Sequence, residues 1–289
     1  MADNREIDEH SGVETTGHEW DGIKELNKPL PRWWLYVLYV TIVWSVGYWI
    51  AYPAWPMISG YTQGLLGYSE RARVAENIAA ARAAQERYTE AIANATLEEI
   101  KADPSLLAFA LAGGRAAFGD NCAGCHGRGA QGFTGYPNLN DDDWIWGGSL
   151  DAIYLTIRGG IRNGGEEARE SAMPRFGLDG LLEQPQIEQL ADYVLALSGQ
   201  EHDAGSAAQG KTLYAENCAV CHGEDGKGNP DLGAPDLTNR IWLYGGDRAS
   251  IIKSIQTGRG GVMPAWSGRL DDETIKKLSV YVHSLGGGQ

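Results

Sequence analysis

Residues 122–126 read CAGCH and residues 218–222 read CAVCH. In each of these haem motifs two cysteines are three positions apart and a histidine follows directly, which is the pattern that attaches c-type haem, with the thiols bonding the porphyrin and the histidine binding the iron. The two motifs use all four cysteines of the chain. The sequence therefore predicts two covalently bound haem c groups. The predicted attachment cysteines and iron-binding histidines are Cys122, Cys125, His126, Cys218, Cys221 and His222.

Two other chemistries also use paired cysteines. A Cys-x-x-Cys pair can belong to a four-thiolate zinc site or act as a redox dithiol. Zinc sites that combine two such pairs usually separate them by roughly 15 to 20 residues, whereas 92 residues lie between Cys125 and Cys218. The spacing favours haem, and zinc and dithiol chemistry remain the alternatives.

The sequence around the haem motifs is repeated. Residues 114–121 precede the first motif as residues 210–217 precede the second, and IEQLADYVLALSG after the first resembles IKKLSVYVHSLGG after the second. The pattern is helical, so we expect two domains in which the first and last helices of each copy cross. The predicted bounds are 114–200 for the first domain, 201–209 for a linker and 210–289 for the second domain. The apolar residues predicted at these crossings are Phe118, Leu190 and Val194 in the first copy and Tyr214, Leu278 and Val282 in the second.

Each repeat also carries one methionine at a matching place. Met173 lies 47 residues after His126, Met263 lies 41 residues after His222, and a proline follows both methionines. Methionine is often only adaptable core filler, but the matching positions favour a second ligand to each iron. Iron between histidine and methionine has a raised potential and no open position. The sequence therefore predicts electron transfer rather than chemistry on a bound substrate.

The N-terminal part of the chain combines an acidic arm with an apolar segment. Residues 1–30 carry eight acidic and three basic side chains, and we expect the arm, 1–32, to be flexible because it buries too little apolar surface. No charge occurs between residues 33 and 69. Twenty apolar residues cover a hydrocarbon core of roughly 30 Å, so we predict a transmembrane helix within 33–56, with a buried core helix as the alternative.

The basic residues near this segment predict its orientation. Lys24, Lys28 and Arg32 precede it, and the next basic residue is Arg71. The positive-inside rule then puts the N-terminus in the cytoplasm and both haem motifs on the other side of the membrane.

The next segment, 57–113, is predicted to be a helical spacer. Thr96 to Glu99 has the pattern of a capping box, and Asp103-Pro104 has the pattern of a helix start. The spacer either packs its alanine-rich face or is a solvated linker. The net charge of −14 disfavours nucleic acid and favours a basic partner, such as a donor cytochrome c.

Two levels of resemblance support these expectations. The two domains resemble class I cytochrome c. HEWDGIKEL at 18–26, PLPRWW at 29–34, the apolar segment and YPAWP at 52–56 resemble the start of the CcoP or FixP family, the di-haem subunit III of cbb3-type cytochrome c oxidase. The resemblance implies a mainly α fold, with one N-terminal transmembrane helix followed by two tandem class I cytochrome c domains in the bacterial inner membrane.

The family resemblance also implies a function. Such subunits relay electrons from a donor cytochrome c, soluble or membrane-bound, towards a haem-copper catalytic subunit that reduces oxygen, beside a mono-haem cytochrome c subunit. The resemblance implies no active site in this chain and periplasmic haem domains. Some members of the family have a second span, but this sequence has no other apolar run of 18 residues, so we expect a single span. It assigns His126 with Met173 to one iron and His222 with Met263 to the other. A di-haem enzyme such as a peroxidase, a redox sensor, and an electron carrier of another membrane dehydrogenase are the alternatives.

Overall fold

The computed structural model describes residues 5–286, so residues 1–4 of the predicted arm and 287–289 of the predicted second domain lie outside the described residues. The described chain is mainly helical and divides after residue 83 into two units. Two antiparallel hairpins pair β1 (Thr15–Trp20) with β2 (Ile23–Leu26) and β3 (Pro56–Met57) with β4 (Gly60–Tyr61). The helices are α1 (Arg32–Ala51), α2 (Glu70–Asn94), α3 (Leu97–Ala102), α4 (Pro104–Asn121), α5 (Ala123–His126), α6 (Leu150–Gly159), α7 (Gln184–Leu197), α8 (Ala204–Asn217), α9 (Ala219–His222), α10 (Arg248–Thr257) and α11 (Asp272–His283).

The acidic arm contains ordered structure, so the expectation that it lacks any is wrong for residues 15–26. The turn between β1 and β2 is Asp21-Gly22, and both residues have positive φ, 49° and 83°. An Asp-Gly turn of this kind matches the twist of an antiparallel hairpin. The Thr15 hydroxyl is buried and accepts a hydrogen bond from the Glu6 amide at 3.0 Å. Local turn chemistry orders a segment that has little apolar surface.

Helix α1 supplies the predicted apolar segment; it begins at Arg32, one residue before the predicted range, and ends at Ala51, inside that range. Pro53 lacks an amide hydrogen and disfavours helical backbone in the residue before it, which explains the end of the helix. None of the 20 residues of α1 is buried. Within residues 5–286, α1 is the one helix long and apolar enough to cross a membrane.

The second unit contains two lobes, and each lobe combines helices from both sequence repeats. The first lobe packs α11 against α4 and α6, and the second lobe packs α7 against α8 and α10. Helix α5, with the first haem motif, belongs to the first lobe, and α9, with the second motif, belongs to the second lobe.

The predicted crossing of the first and last helices within one repeat is therefore wrong. Phe118 of the first repeat packs in one cluster with Leu278 and Val282 of the second repeat. Tyr214 of the second repeat packs with Leu190 and Val194 of the first. The predicted residues do form helix crossings, but the partners are exchanged between the repeats.

The lengths of the connections explain this exchange. Helix α7 ends at Leu197 and α8 begins at Ala204, and two helices joined by so short a loop pack as antiparallel neighbours. The segments 160–183 and 258–271 are longer and carry the chain from one lobe to the other. The second lobe therefore comes from one continuous stretch, whereas the first is assembled from the two ends of the unit.

A glycine lies at each of the two main helix crossings. A Cβ atom at Gly114 of α4 would lie 2.3 Å from the Lys277 carbonyl oxygen of α11, and one at Gly210 of α8 would lie 2.1 Å from the Gln189 carbonyl oxygen of α7. Neither distance leaves room for a methyl group, so both backbones approach as closely as they do because these residues have no side chain. The two glycines occupy matching positions of the repeat.

The end of the predicted spacer packs on the first lobe. Ile92, Leu97 and Ile100 are buried in a cluster with Leu150 and Val280. The predicted capping box is present, with the Thr96 hydroxyl accepting from the Glu99 amide and the Glu99 carboxylate accepting from the Thr96 amide. Helix α4 runs through the predicted boundary at residue 113. This part of the spacer is therefore packed against the lobe rather than a solvated linker.

Candidate haem-binding sites

Each haem motif begins at the end of a helix and forms one helical turn. The Cys122 amide donates to the Phe118 carbonyl at 2.8 Å, and the His126 amide donates to the Cys122 carbonyl at 2.9 Å. Residues three and four positions apart in a helical turn lie on the same side. The turn therefore brings Cys122, Cys125 and His126 to one side, and the second motif, with a His222 to Cys218 bond of 3.0 Å, repeats this geometry.

A proline carbonyl fixes the orientation of each histidine. His126 Nδ1 lies 3.1 Å from the Pro137 carbonyl oxygen, and His222 Nδ1 lies 3.0 Å from that of Pro235. Because a carbonyl oxygen only accepts, Nδ1 carries the proton in both rings and the lone pair is on Nε2. A hydrogen bond of this kind is how proteins orient histidines that bind metals.

Burial also keeps both imidazoles in the neutral form. It lowers the pKa of His126 and of His222, and this effect outweighs the proline carbonyl, which acts in the opposite direction. A neutral imidazole with Nε2 unprotonated is the form that binds iron. Both histidines are thus prepared as ligands by the fold around them.

The first cysteine of each haem motif does not have the environment of a redox-active thiol. Burial, with a smaller effect of the neighbouring cysteine, raises the pKa of Cys122 and of Cys218 to about 11. Redox-active pairs depend on a lowered thiol pKa. Among residues 5–286, no three His, Cys, Asp or Glu side chains are grouped to hold a metal ion. The geometry therefore disfavours both the dithiol and the zinc alternatives.

The two predicted methionine ligands lie beside the haem motif of the opposite repeat. Met263 packs in the first-lobe cluster with Cys122 and Ala123. Met173 lies in the second lobe, in the wall of a cavity that also contains Cys218 and His222. Each methionine precedes the last helix of its repeat. Because that helix packs in the lobe of the opposite haem motif, the methionine lies in that lobe too.

This placement differs from the pairing implied by the resemblance. His126 is brought into the lobe of Met263 rather than Met173, and His222 into the lobe of Met173 rather than Met263. That these four residues bind iron stays a prediction. The partners differ from those expected because the helix exchange could not be read from a repeat that aligns equally well in either arrangement.

The cavity beside the second haem motif measures about 390 Å³, and its wall includes both cysteines of that motif, His222 and Met173. Haem sites combine an apolar enclosure with axial ligands of this kind. The apolar side chains of its wall include Phe176, Leu190, Val194, Trp242, Ile251 and Ile255. In the first lobe the corresponding apolar surroundings of Cys122 and Met263 include Ile153, Ile157, Trp144, Trp266 and Leu278.

Several residues that build these sites were not predicted from the sequence. Pro137 and Pro235 recur after the two motifs, so the repeat contained a signal for them. Arg162 and Asn163 gave none, because their side chains donate to main-chain carbonyl groups, which any residue type can supply. Asn163 Nδ2 donates to the Gly159 and Met263 carbonyl oxygens at 2.8 and 3.0 Å.

Two family descriptions match this chain. The N-terminal domain of cytochrome oxidase-cbb3, FixP, matches residues 12–59. Cytochrome C oxidase, cbb3-type, subunit III, matches residues 109–194 and 205–282. The two matches cover the apolar helix with part of the arm before it, and both haem motifs.

Curated relatives are similar over nearly the whole chain. The Cbb3-type cytochrome c oxidase subunit FixP of Bradyrhizobium sp. (strain ORS 278) is 56% identical, with 100% of both chains covered. The subunit CcoP of Cereibacter sphaeroides is 55% identical over 95% of both chains. The subunit CcoP of Azospirillum brasilense is 53% identical over 99% of both chains.

Proposed function

Because this chain belongs to the family of cbb3-type cytochrome c oxidase subunit III and is an electron-transfer subunit of that oxidase, we propose that it carries two haem c groups and passes electrons through both. Its cytochrome c domains bind haem c. It is anchored to the membrane, and the other subunits of the oxidase are its partners. We further propose the ligands of each haem, the donor of the electrons and the orientation of the chain in the membrane.

The proposed ligands follow the lobes rather than the repeats. His126 and Met263 bind the iron attached at Cys122 and Cys125, and His222 and Met173 bind the iron attached at Cys218 and Cys221. Haem iron, when bound, supplies a one-electron couple whose potential is raised by a methionine ligand. The observation that carries this assignment is the placement of each methionine with the haem motif of the opposite repeat.

Different residues of the chain contribute to electron transfer in different ways. Pro137 and Pro235 orient the imidazoles through Nδ1. The buried side chains around each motif exclude water, which favours the lower charge of the reduced state and limits rearrangement of solvent when an electron arrives. With one histidine and one methionine holding each iron, no ligand position would remain for oxygen or peroxide.

Carbon monoxide binding tests the proposed ligation directly. The full-length subunit, reduced in detergent, is expected to show no change in its visible spectrum when carbon monoxide is added, because both axial positions are occupied. The Met263→Ala and Met173→Ala variants are the positive controls, and each is expected to bind carbon monoxide at one haem. Binding by the unaltered subunit would instead support the alternative of a di-haem enzyme with an open iron.

We propose the N-terminus in the cytoplasm and the haem lobes in the periplasm. Lys24, Lys28 and Arg32 before α1 support this orientation through the positive-inside rule. A maleimide that does not cross membranes, added to intact cells, is expected to label a cysteine introduced at Glu76 and not one introduced at Glu19. The reverse pattern would contradict the orientation.

The proposed donor is a basic cytochrome c. Residues 114–289, which carry both haem motifs, have 23 acidic and 15 basic side chains, and this excess of negative charge steers cationic partners to them and makes association faster at low ionic strength. The rate of reduction by a basic cytochrome c is therefore expected to fall as salt is added. A rate independent of salt would contradict electrostatic docking of the donor. Copurification of a haem-copper subunit and a mono-haem cytochrome subunit tests the proposed partners within the complex.

A further inference from the structure

The two segments that connect the lobes meet each other, and both predicted methionine ligands belong to them. The first connection, 160–183, contains Met173, and the second, 258–271, contains Met263. At their meeting point the Ile161 amide donates to the Met263 carbonyl and the Met263 amide donates to the Ile161 carbonyl, both at 2.9 Å. The first connection is therefore attached directly to the methionine of the second.

Arg162 is the next residue, and its side chain contacts both connections. Its Nε donates to the Gly261 carbonyl oxygen at 2.8 Å, and its Nη1 donates to the Ser171 carbonyl oxygen at 2.7 Å. Gly261 lies two residues before Met263, and Ser171 lies two residues before Met173. One guanidinium group thus holds the main chain at the same distance in sequence before each methionine.

The environment of Arg162 differs from that of an exposed arginine on the protein surface. The residue is half-buried and lies in the wall of the second-lobe cavity. Its two acceptors are carbonyl oxygens, and a charged donor makes these hydrogen bonds stronger than neutral ones. Burial lowers the pKa of the guanidinium, but arginine stays protonated because its ordinary pKa is far above neutrality.

The backbone of Arg162 is also unusual. Its φ is +49°, in the left-handed region that non-glycine residues seldom adopt. The Arg162 amide donates to the Arg169 carbonyl at 3.0 Å, and this bond together with the Ile161–Met263 pair holds the conformation. Strained backbone that the surroundings enforce is often found at functional sites. Arg162 combines this backbone conformation with side-chain contacts to both connections.

We propose that Arg162 is a shared positioning residue that holds the thioethers of Met173 and Met263 in reach of the two irons. The inference rests on the ligands given under the proposed function. A planar guanidinium donates in two fixed directions at once, which a lysine ammonium does not reproduce. Coupling through one side chain means that a single substitution weakens methionine ligation in both lobes.

The test uses the full-length chain with both haems attached, solubilised in detergent. Ferric haem c with a methionine ligand has a weak charge-transfer band at the red end of its spectrum, which disappears when the sulfur leaves. The Met173→Ala and Met263→Ala variants show how much of the intensity of this band each iron contributes. Arg162→Gln is expected to lose the band of both irons, and Arg162→Lys is expected to retain a reduced band.

Arg169→Gln is the matched control. Arg169 lies in the same connection and is half-buried, but its side chain donates to Thr156 Oγ1 at 2.8 Å and to the Ala152 carbonyl at 3.1 Å, both in α6. Loss of this arginine removes the same charge without releasing Ser171 or Gly261. The control is expected to keep the charge-transfer band of both irons.

Potentials provide a second measurement. Loss of methionine ligation lowers the potential of haem c, so Arg162→Gln is expected to shift the reduction equilibrium of both haems at least tenfold, or ~59 mV for a one-electron couple. Guanidinium ion added to Arg162→Ala is expected to restore part of the band, which a variant that had merely misfolded would not show.

The outcomes distinguish a failure of the proposed role of Arg162 from a failure of the proposed iron ligands. If Arg162→Gln keeps the band of both irons, or loses the band of only one, the shared positioning by Arg162 is overturned. If Met173→Ala and Met263→Ala also keep the full band, the proposed ligands are wrong as well. If Arg162→Gln does not accumulate with haem, Arg162→Lys decides, and an unreduced band in that variant overturns the proposal.

Discussion

The ring of Tyr193, in the first sequence repeat, lies with its centroid 5.1 Å from that of Tyr214 in the second repeat. The matching residues, Phe118 and Tyr281, have their ring centroids 5.6 Å apart in the other lobe. Both contacts join one repeat to the other. A protein that reads as two domains in sequence is therefore two lobes in space, and neither lobe is made by one repeat.

Fragments of the chain are expected to follow the lobes. Residues 160–261 contain Arg162 with both of its carbonyl acceptors, Met173, α7, α8, the second haem motif and α10, so this fragment is expected to fold and carry one haem with a methionine ligand. Residues 204–289 contain a full sequence repeat but lack α7, the helix that packs against α8. Covalent haem staining and the charge-transfer band measure the result. A folded, methionine-ligated fragment 204–289 would contradict the exchange.

Gly210→Ala is expected to destabilise the second lobe. The added methyl group would meet the Gln189 carbonyl oxygen at 2.1 Å, and overpacking of this kind costs about 3 kcal/mol of unfolding free energy. Gly119→Ala in α4 is the control, because a Cβ atom there has nothing within 4 Å and alanine favours a helix by about 1 kcal/mol. Denaturant unfolding of the two variants measures both effects. Equal stability of Gly210→Ala and Gly119→Ala would show that the crossing is looser than described.

The ion pair between Asp192 and Arg248 is expected to make the second lobe sensitive to acid. Arg248 Nε lies 2.9 Å from the buried Asp192 carboxylate, and this hydrogen bond lowers the pKa of Asp192 below its ordinary 3.8. A lowered pKa in the folded state stabilises the protein above the unfolded pKa, and the stabilisation is lost as the pH falls through the folded pKa.

Asp192→Asn tests this pH dependence. The variant is expected to lose about 2 kcal/mol of unfolding free energy at neutral pH, the usual range for a hydrogen bond to a charged group, and to lose less of its remaining stability between pH 5 and about pH 2 than the unaltered protein. Unfolding in denaturant at several pH values measures the difference. Parallel acid curves for the two proteins would contradict the contribution of Asp192.

Much of the fold could be predicted from the sequence because its signals are local. The apolar run predicts α1, the Thr96 capping box and Asp103-Pro104 predict the starts of α3 and α4, and the motifs with their repeat predict two similar helical sites. Which helices pack against each other depends on the connections between them, and no local sequence signal gives this. Phe118 requires an apolar partner helix, but α7 and α11 offer nearly the same surface, so the choice depends on loop length.

The candidate sites also contain some residues that the sequence could indicate and others that it could not. Candidate ligands such as His126 and Met263 could be proposed from motif and spacing, because their own side chains supply the chemistry. The acceptors of Arg162 are carbonyl groups of Ser171 and Gly261, and a main-chain acceptor leaves no residue type to recognise. The Asp21-Gly22 turn did carry a sequence signal for the hairpin in the arm, although the acidic composition around it pointed to disorder.

The exchange of methionine ligands between the repeats is tested most directly in chains that keep one haem. Cys122→Ser with Cys125→Ser leaves haem only at the second motif, as covalent haem staining can verify. In that background Met173→Ala is expected to abolish the charge-transfer band of the ferric protein and Met263→Ala to leave it unchanged. Loss of the band in Met263→Ala, with the band retained in Met173→Ala, would contradict the account.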